Sequence, residues 1–215
     1  PIDAVFDLAT LPLTLSIREP YSTVYKIYQM GVNLCELCRE GYFKTLIHVS
    51  SSEVYGTAKI IPMWENHVMM PQSPYAGAKA AEDMVMISYN RTFQTQICIA
   101  RPFNTYGKRQ DLNAVIPATI KRILKGKKPI IEGDGEQIRD FIYINDTIRG
   151  IIEIYKQQEK CYGRIFNLTS GETIKIRDLV ELICSLMGYK GKIKYTDKRV
   201  GNVELLYGSG KFADY

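Results

Sequence analysis

Apolar and aromatic residues from Tyr21 to Cys38 recur at helical spacing and stop at Gly41, which predicts a helix closed by a glycine cap. Ahead of it, Ala4, Val5 and Phe6 make a strand-like run before Asp7. The chain therefore opens abruptly, on what reads as an interior strand rather than the start of a domain. Thr45 to Val49 is a second apolar strand, followed by a cluster of serines. Ser73-Pro74 supplies an N-cap and a proline at the first helical position, opening a helix predicted to run to about Thr92, and Gln96 to Ala100 is the next strand. These strands do not alternate in polarity. Apolar strands separated by helices predict an α/β fold, a doubly wound parallel sheet with helices on both faces.

Beyond Gly107 the texture changes. Val115 to Gly126 predicts a helix, Pro129 to Glu132 a short strand, Gly133-Asp134-Gly135 a turn, and Phe141 to Ile144 another strand. Asp146 is expected to cap the helix that follows to about Gln157. Phe166 to Leu168 reads as a strand, Arg177 to Met187 as a helix ended by Gly188, and Lys192 to Tyr195 as a strand. No internal repeat or low-complexity segment interrupts this order, and the closing GSGKFADY suggests no terminal element.

Composition adds limits. At 46% hydrophobic and 24% charged, 215 residues suffice for a folded core and for one or two domains. A net charge of +5 with both signs interspersed falls short of a nucleic-acid footprint and suits small phosphorylated partners. Five cysteines, an odd number, make no disulfide framework and point to a reducing, cytoplasmic setting. No run approaches the ~18 apolar residues of a membrane span. Cys35 and Cys38 form a CxxC on one helix face, but with no second pair and only His48 and His67 in the chain, no metal site is expected.

Three patterns carry candidate chemistry. Ser50-Ser51-Ser52-Glu53-Val54-Tyr55-Gly56 follows a strand, at the end that faces the ligand crevice in an open parallel sheet. Tyr75-Ala76-Gly77-Ala78-Lys79 sets a phenol and an ammonium four residues apart on one helix face, where the positive charge favours phenolate and lowers the phenol pKa toward working pH. Arg101-Pro102-Phe103-Asn104-Thr105-Tyr106-Gly107 follows the next strand, again at the crevice edge.

In this order and at these spacings the three patterns resemble the extended short-chain dehydrogenase/reductases, specifically the NAD-dependent nucleotide-sugar epimerases and dehydratases. The resemblance continues through GDGEQIRDFIYINDT and covers nearly the whole chain. It implies a partial Rossmann-like domain over residues 1–107, a smaller mixed α/β substrate-binding part over 108–215, and a return to the first domain by 136–157. It implies Tyr75 as catalytic acid/base, Lys79 as its tuning partner and a ligand of the nicotinamide ribose, and Ser51 as hydrogen-bond partner of the sugar hydroxyl. Ala9, Ser50, Pro102 and Phe103, with Tyr75 and Lys79, are implied along NAD, NADP not being excluded. Asn104, Arg139 and Arg199 are implied on the nucleotide-diphosphate sugar, where a guanidinium fork suits phosphate oxygens. A homodimer through the 21–38 and 75–92 helices is implied as well, with no nucleic acid and no membrane as partner.

The chain departs from the family pattern at several points. The Gly-rich turn GxxGxxG is not among these residues; Pro1 falls near the family's fourth strand, and a polypeptide limited to this sequence is expected to hold a dinucleotide poorly. Asp7 stands where a histidine is common, Ile27 where a helix usually supplies asparagine, and Arg199-Val200-Gly201-Asn202 replaces Arg-x-Gly-Asp. Within the family Glu53 matches the carboxylate that removes the C5 proton in dehydratases, and Ala80 replaces the arginine of the decarboxylases. A 4,6-dehydratase is therefore favoured over a 4-epimerase or a glucuronate decarboxylase, with Ser52 where glucose-type dehydratases carry aspartate. The alternative of another class is a binding protein that kept the pocket and lost turnover.

Overall fold

The computed structural model describes residues 2–209. From β1 (Ile2–Asp7) the chain runs through α1 (Leu13–Arg18) and α2 (Pro20–Arg39) to β2 (Phe43–Val49), a 3-10 turn (Ser52–Tyr55), α3 (Pro74–Phe93) and β3 (Gln96–Pro102). There follow β4 (Asn104–Tyr106), α4 (Val115–Leu124), β5 (Ile130–Glu132), β6 (Ile138–Tyr143) and α5 (Ile144–Lys156). The remainder is α6 (Gln158–Cys161), β7 (Ile165–Leu168), β8 (Thr173–Lys175), α7 (Ile176–Leu186) and β9 (Lys194–Thr196).

The strands β1, β2, β3 and β7 form one parallel sheet in that order. Successive residues of a strand point to opposite faces, and here both faces are apolar. Leu46, Ile97 and Ile99 pack with Cys35, Cys38 and Met86 beneath α2 and α3. Ile47, Cys98 and Ala100 point the other way, into a core with Ile151, Ile154, Phe166 and Leu168. This is the doubly wound, Rossmann-like arrangement that the unalternating strands predict. The second half of the chain also builds a three-stranded sheet, β4-β6-β8, and a parallel pair, β5-β9. Around Ile131, Val180 and Cys184 a separate core joins β5 to α4 and α7.

Helix ends follow their local chemistry. Ser73 Oγ accepts a hydrogen bond from the Ala76 amide at 3.1 Å, with Pro74 opening α3, and Gly41 takes the left-handed φ of 79° just past α2. Asp146 does not cap α5. Strand β6 runs directly into that helix, so Tyr143 holds the cap position without a side-chain bond and Asp146 lies in the first turn, 3.2 Å from Arg149. The strand expected to end at Ile144 accordingly ends at Tyr143.

Among the described residues β1 pairs with β2 alone. Two other expectations differ. The Arg101–Gly107 loop contains β4, which is too short to carry a period and is set by parallel pairing of Asn104 with Phe141. Of the closing segment, Gly208 bridges to Met63 and the Ser209 amide donates to the Met63 carbonyl at 3.0 Å; residues 210–215 lie outside the described structure. Among the described residues no helix is long and apolar enough to cross a membrane.

Candidate active site

The carboxyl ends of β2 and β3 and the first turns of α3 bring the three sequence patterns together. The Ser50 amide continues the β2 ladder, donating to Ala100 at 2.7 Å. Ser51 then caps the 3-10 turn, its Oγ accepting from the Glu53 amide at 3.2 Å, and that turn brings Glu53 back over the end of the sheet. Tyr75 enters from the first turn of α3, where its amide donates to Ser16 Oγ of α1 at 3.1 Å. The Ser51 and Thr10 hydroxyls stand close enough to the Tyr75 phenol to lower its pKa. Tyr75 and Ser51, predicted from separate motifs, thus come together.

Electrostatics in this cluster correct one expectation. Burial pushes the Tyr75 phenol above its ordinary value, although the Lys79 charge and the nearby Ser51 and Thr10 hydroxyls pull it down. Lys79 acts in the expected direction but does not outweigh desolvation, and its ammonium also faces Glu82, with Nζ 2.8 Å from Oε2. Burial also pushes the Glu53 carboxyl up, against the charges of Arg139 and Arg199. A carboxyl held toward its neutral form ionises nearer working pH, which suits a proton-transfer group.

Arg139 is buried rather than a solvated surface residue. Its guanidinium donates to the carbonyls of Ile138 and Val203, at 2.9 and 2.6 Å, and to Asn202 Oδ1 at 3.2 Å. It therefore fastens the Asn202–Glu204 segment while its charge acts on Glu53. Arg199 is half-buried, its Nε enclosed without a hydrogen-bond partner among the described residues. Both arginines thus bear on the same carboxylate.

Residues implied along the cofactor spread over the same crevice edge. The Ala9 amide donates to Asp7 Oδ1 at 3.1 Å in the loop after β1. Pro102 ends β3, and Phe103 is buried against Val54, Tyr55 and Leu206. Ser50 Oγ and Asn104 Oδ1 are buried without a hydrogen-bond partner among the described residues. The Ser50 hydroxyl can donate to an oxygen of a bound dinucleotide, whereas Asn104 Oδ1 accepts and asks for a donor such as a hydroxyl or ring N–H of the ligand. Ser52 is buried at the start of the 3-10 turn.

The structure adds residues that the patterns did not single out. Thr10 is a second hydroxyl near the Tyr75 phenol, and His48, Asp7 and Glu82 gather around Lys79. Asp7, His48 and Glu82 offer three ligand-type atoms within 4.8 Å of one another, and the Lys79 ammonium stands among them as their cation. Behind them Arg101 is fully buried, its Nε 2.8 Å from Asp83 Oδ2 and its Nη1 2.8 Å from the Tyr55 hydroxyl. An apolar groove of about 840 Å³, lined by Ile116, Phe141, Leu179 and Leu186 among others, contains none of Ser51, Glu53, Tyr75 or Lys79.

Comparison with known proteins agrees with this geometry. The family model described as GDP-mannose 4,6 dehydratase matches residues 1–206. A dTDP-glucose 4,6-dehydratase of Streptomyces griseus is 29% identical over 159 residues, covering 74% of this chain and 48% of that protein. The dTDP-glucose 4,6-dehydratase of Streptomyces venezuelae, solved with NAD bound, superposes with a TM-score of 0.91 at 26% identity, over 97% of this chain and 65% of that one. A UDP-N-acetylglucosamine 4-epimerase from Methanobrevibacter ruminantium gives 0.87 at 33% identity, over 96% of this chain and 67% of that one. The chain spans 48–63% of the length of such curated relatives.

Proposed function

The chain belongs to the GDP-mannose 4,6-dehydratase family of extended short-chain dehydrogenase/reductases, the nucleotide-sugar epimerases and dehydratases, and from that premise we propose that it oxidises C4 of a nucleotide-diphosphate hexose as a 4,6-dehydratase. The observation that carries this reading is the convergence of Ser51, Lys79 and Glu53 around the Tyr75 phenol, each near enough to shift its ionisation. Ser51 orients the sugar's 4-hydroxyl, and Tyr75, once ionised with the help of the Lys79 charge, takes its proton. When bound, NAD supplies the acceptor for the C4 hydride, and a 4-keto sugar results. The new carbonyl makes the C5 proton acidic. Glu53 removes that proton as the 6-hydroxyl departs, and its raised pKa leaves it competent to hold the proton and return it. Ser52 stands where an acid would protonate the leaving group; the 6-hydroxyl would leave as water with a proton from another donor, and the hydride taken from C4 would return at C6 as Glu53 gives its proton back to C5, so no net oxidant is consumed.

Arg139 and Arg199, with Asn104, hold the nucleotide-diphosphate side; Ala9, Ser50, Pro102, Phe103 and Lys79 line the cofactor. We assign residues 1–107 to the cofactor domain, with 136–157 returning to it, and the rest chiefly to substrate. A homodimer through α2 and α3 is part of the same reading. Tyr21, Tyr25, Tyr28 and Met84 are exposed along these two helices, while Val85 and Ile87 turn inward to the core.

The second reading, a 4-epimerase, has support in the epimerase names carried by some relatives. Incubating the protein with NAD and nucleotide hexoses tests both. Loss of the 6-hydroxyl supports the dehydratase, inversion at C4 the epimerase, and binding without turnover a module that kept only the pocket.

A further inference from the structure

We propose that Asp7 and His48 form a buried positioning dyad that holds the ammonium of Lys79 at the end of β2, beside the Tyr75 phenol. The inference rests on the reading of Tyr75 and Lys79 as the acid/base pair. Asp7 and His48 are register partners on adjacent parallel strands, so their side chains meet on one face, with His48 Nδ1 2.7 Å from Asp7 Oδ2. His48 Nε2 in turn lies 3.3 Å from Lys79 Nζ. An ammonium can only donate, so this contact needs a bare Nε2, with the ring proton on Nδ1 donating to Asp7. The carboxylate thereby fixes the tautomer that receives Lys79.

The arrangement matters because of what else competes for the ammonium. Glu82 Oε2 lies 2.8 Å from Nζ on the same helix, three residues along. Asp83 Oδ1 approaches His48 Nε2 to 3.8 Å, but its other oxygen is taken by Arg101. From α2 the Cys35 thiol faces this cluster and is pushed up to about 12 by burial, so it adds no charge near neutrality. Glu82 alone would draw Lys79 along α3. His48 is three residues before Ser51 on the same chain segment, and the Ser51 hydroxyl stands near enough to the Tyr75 phenol to lower its pKa. The strand end that holds Lys79 through His48 is thus the one that brings Ser51 to the phenol. Asp7 remains ionised to do this: burial pushes its carboxyl up, but His48, Lys79 and the Ala9 amide hold it below its ordinary value.

Two substitutions separate the dyad from a packing role. His48→Asn keeps a group at the place of Nδ1, facing Asp7, and loses the acceptor for Lys79; His48→Gln reaches the place of Nε2 with an oxygen. The readout is the ionisation of Tyr75, followed in the protein by nuclear magnetic resonance of ring-labelled tyrosine and assigned with Tyr75→Phe. His48→Asn is expected to raise the Tyr75 midpoint by about one pH unit, because the partner charge is less firmly held, and His48→Gln to restore it. An unchanged midpoint in His48→Asn, or an equal rise in both variants, overturns the dyad. Nitrogen resonances of the imidazoles supply a check on the wild type. Only His48 and His67 contribute, and His48→Gln removes one of them. A bare Nε2 on His48 is expected, and a proton on that nitrogen near neutral pH overturns the proposal. Turnover by Tyr75→Phe would sink the acid/base reading instead, and none of these titrations depends on turnover.

Discussion

At the residue scale, burial pushes both the Glu53 carboxyl and the Tyr75 phenol toward their neutral forms, so each must be ionised by its neighbours before it can take a proton. Tyr75→Phe should abolish nearly all turnover and leave nucleotide-sugar affinity close to unchanged, because the lost hydroxyl acts as the proton moves; steady-state kinetics beside equilibrium binding checks it. Glu53 carries a stability signature as well. Its folded pKa lies above the unfolded value of about 4.3, so ionising it costs the native state at high pH, and that cost disappears once pH falls below the unfolded value. Glu53→Gln should therefore unfold at a higher temperature than wild type near pH 8, with the gap closing as pH approaches ~4. A gap that is constant with pH would contradict a raised carboxyl. The motifs that hold Ser51, Tyr75 and Lys79 were legible in their order and spacing, and the roles given to these residues come from the family resemblance that this order carries. Thr10 and His48 were not, because they reach the site through tertiary contacts that no local pattern encodes. Asp7, noticed as a departure from the family, makes physical sense once it lies across from His48.

Elements follow the same division. Ser73-Pro74 announces α3, and the long apolar strands β2 and β3 announce the sheet, because caps and continuous burial are written in neighbouring residues. The short pieces α1, β4 and β8 depend on partners far along the chain and left no period to read. Packing between α2 and α3 is close at Gly31, where an added Cβ would sit 2.7 Å from Glu82 Oε1. Gly31→Ala should destabilise the fold by roughly 1–3 kcal/mol in chemical unfolding, and by moving Glu82 should also alter the titration of Tyr75. Beneath the site Arg101 and Asp83 form a fully buried pair. Arg101→Met would leave the Asp83 carboxylate unpaired and should cost about 3–5 kcal/mol, read as a lowered unfolding midpoint.

On the scale of the whole molecule, two apolar cores on opposite faces of one sheet leave the carboxyl ends of β2 and β3 as the edge where polar side chains gather. All five cysteines lie buried, and burial pushes the thiols of Cys35 and Cys98 up to about 12. A thiol reagent near neutral pH should thus label the protein only as fast as it unfolds. The central claim, oxidation at C4 followed by elimination assisted by Glu53, is tested most directly by a nucleotide hexose carrying deuterium at C4, supplied with NAD. The account predicts a 4-keto product that has lost its 6-hydroxyl and carries the label at C6. Label still on C4, whether in unchanged sugar or in its 4-epimer, would contradict it.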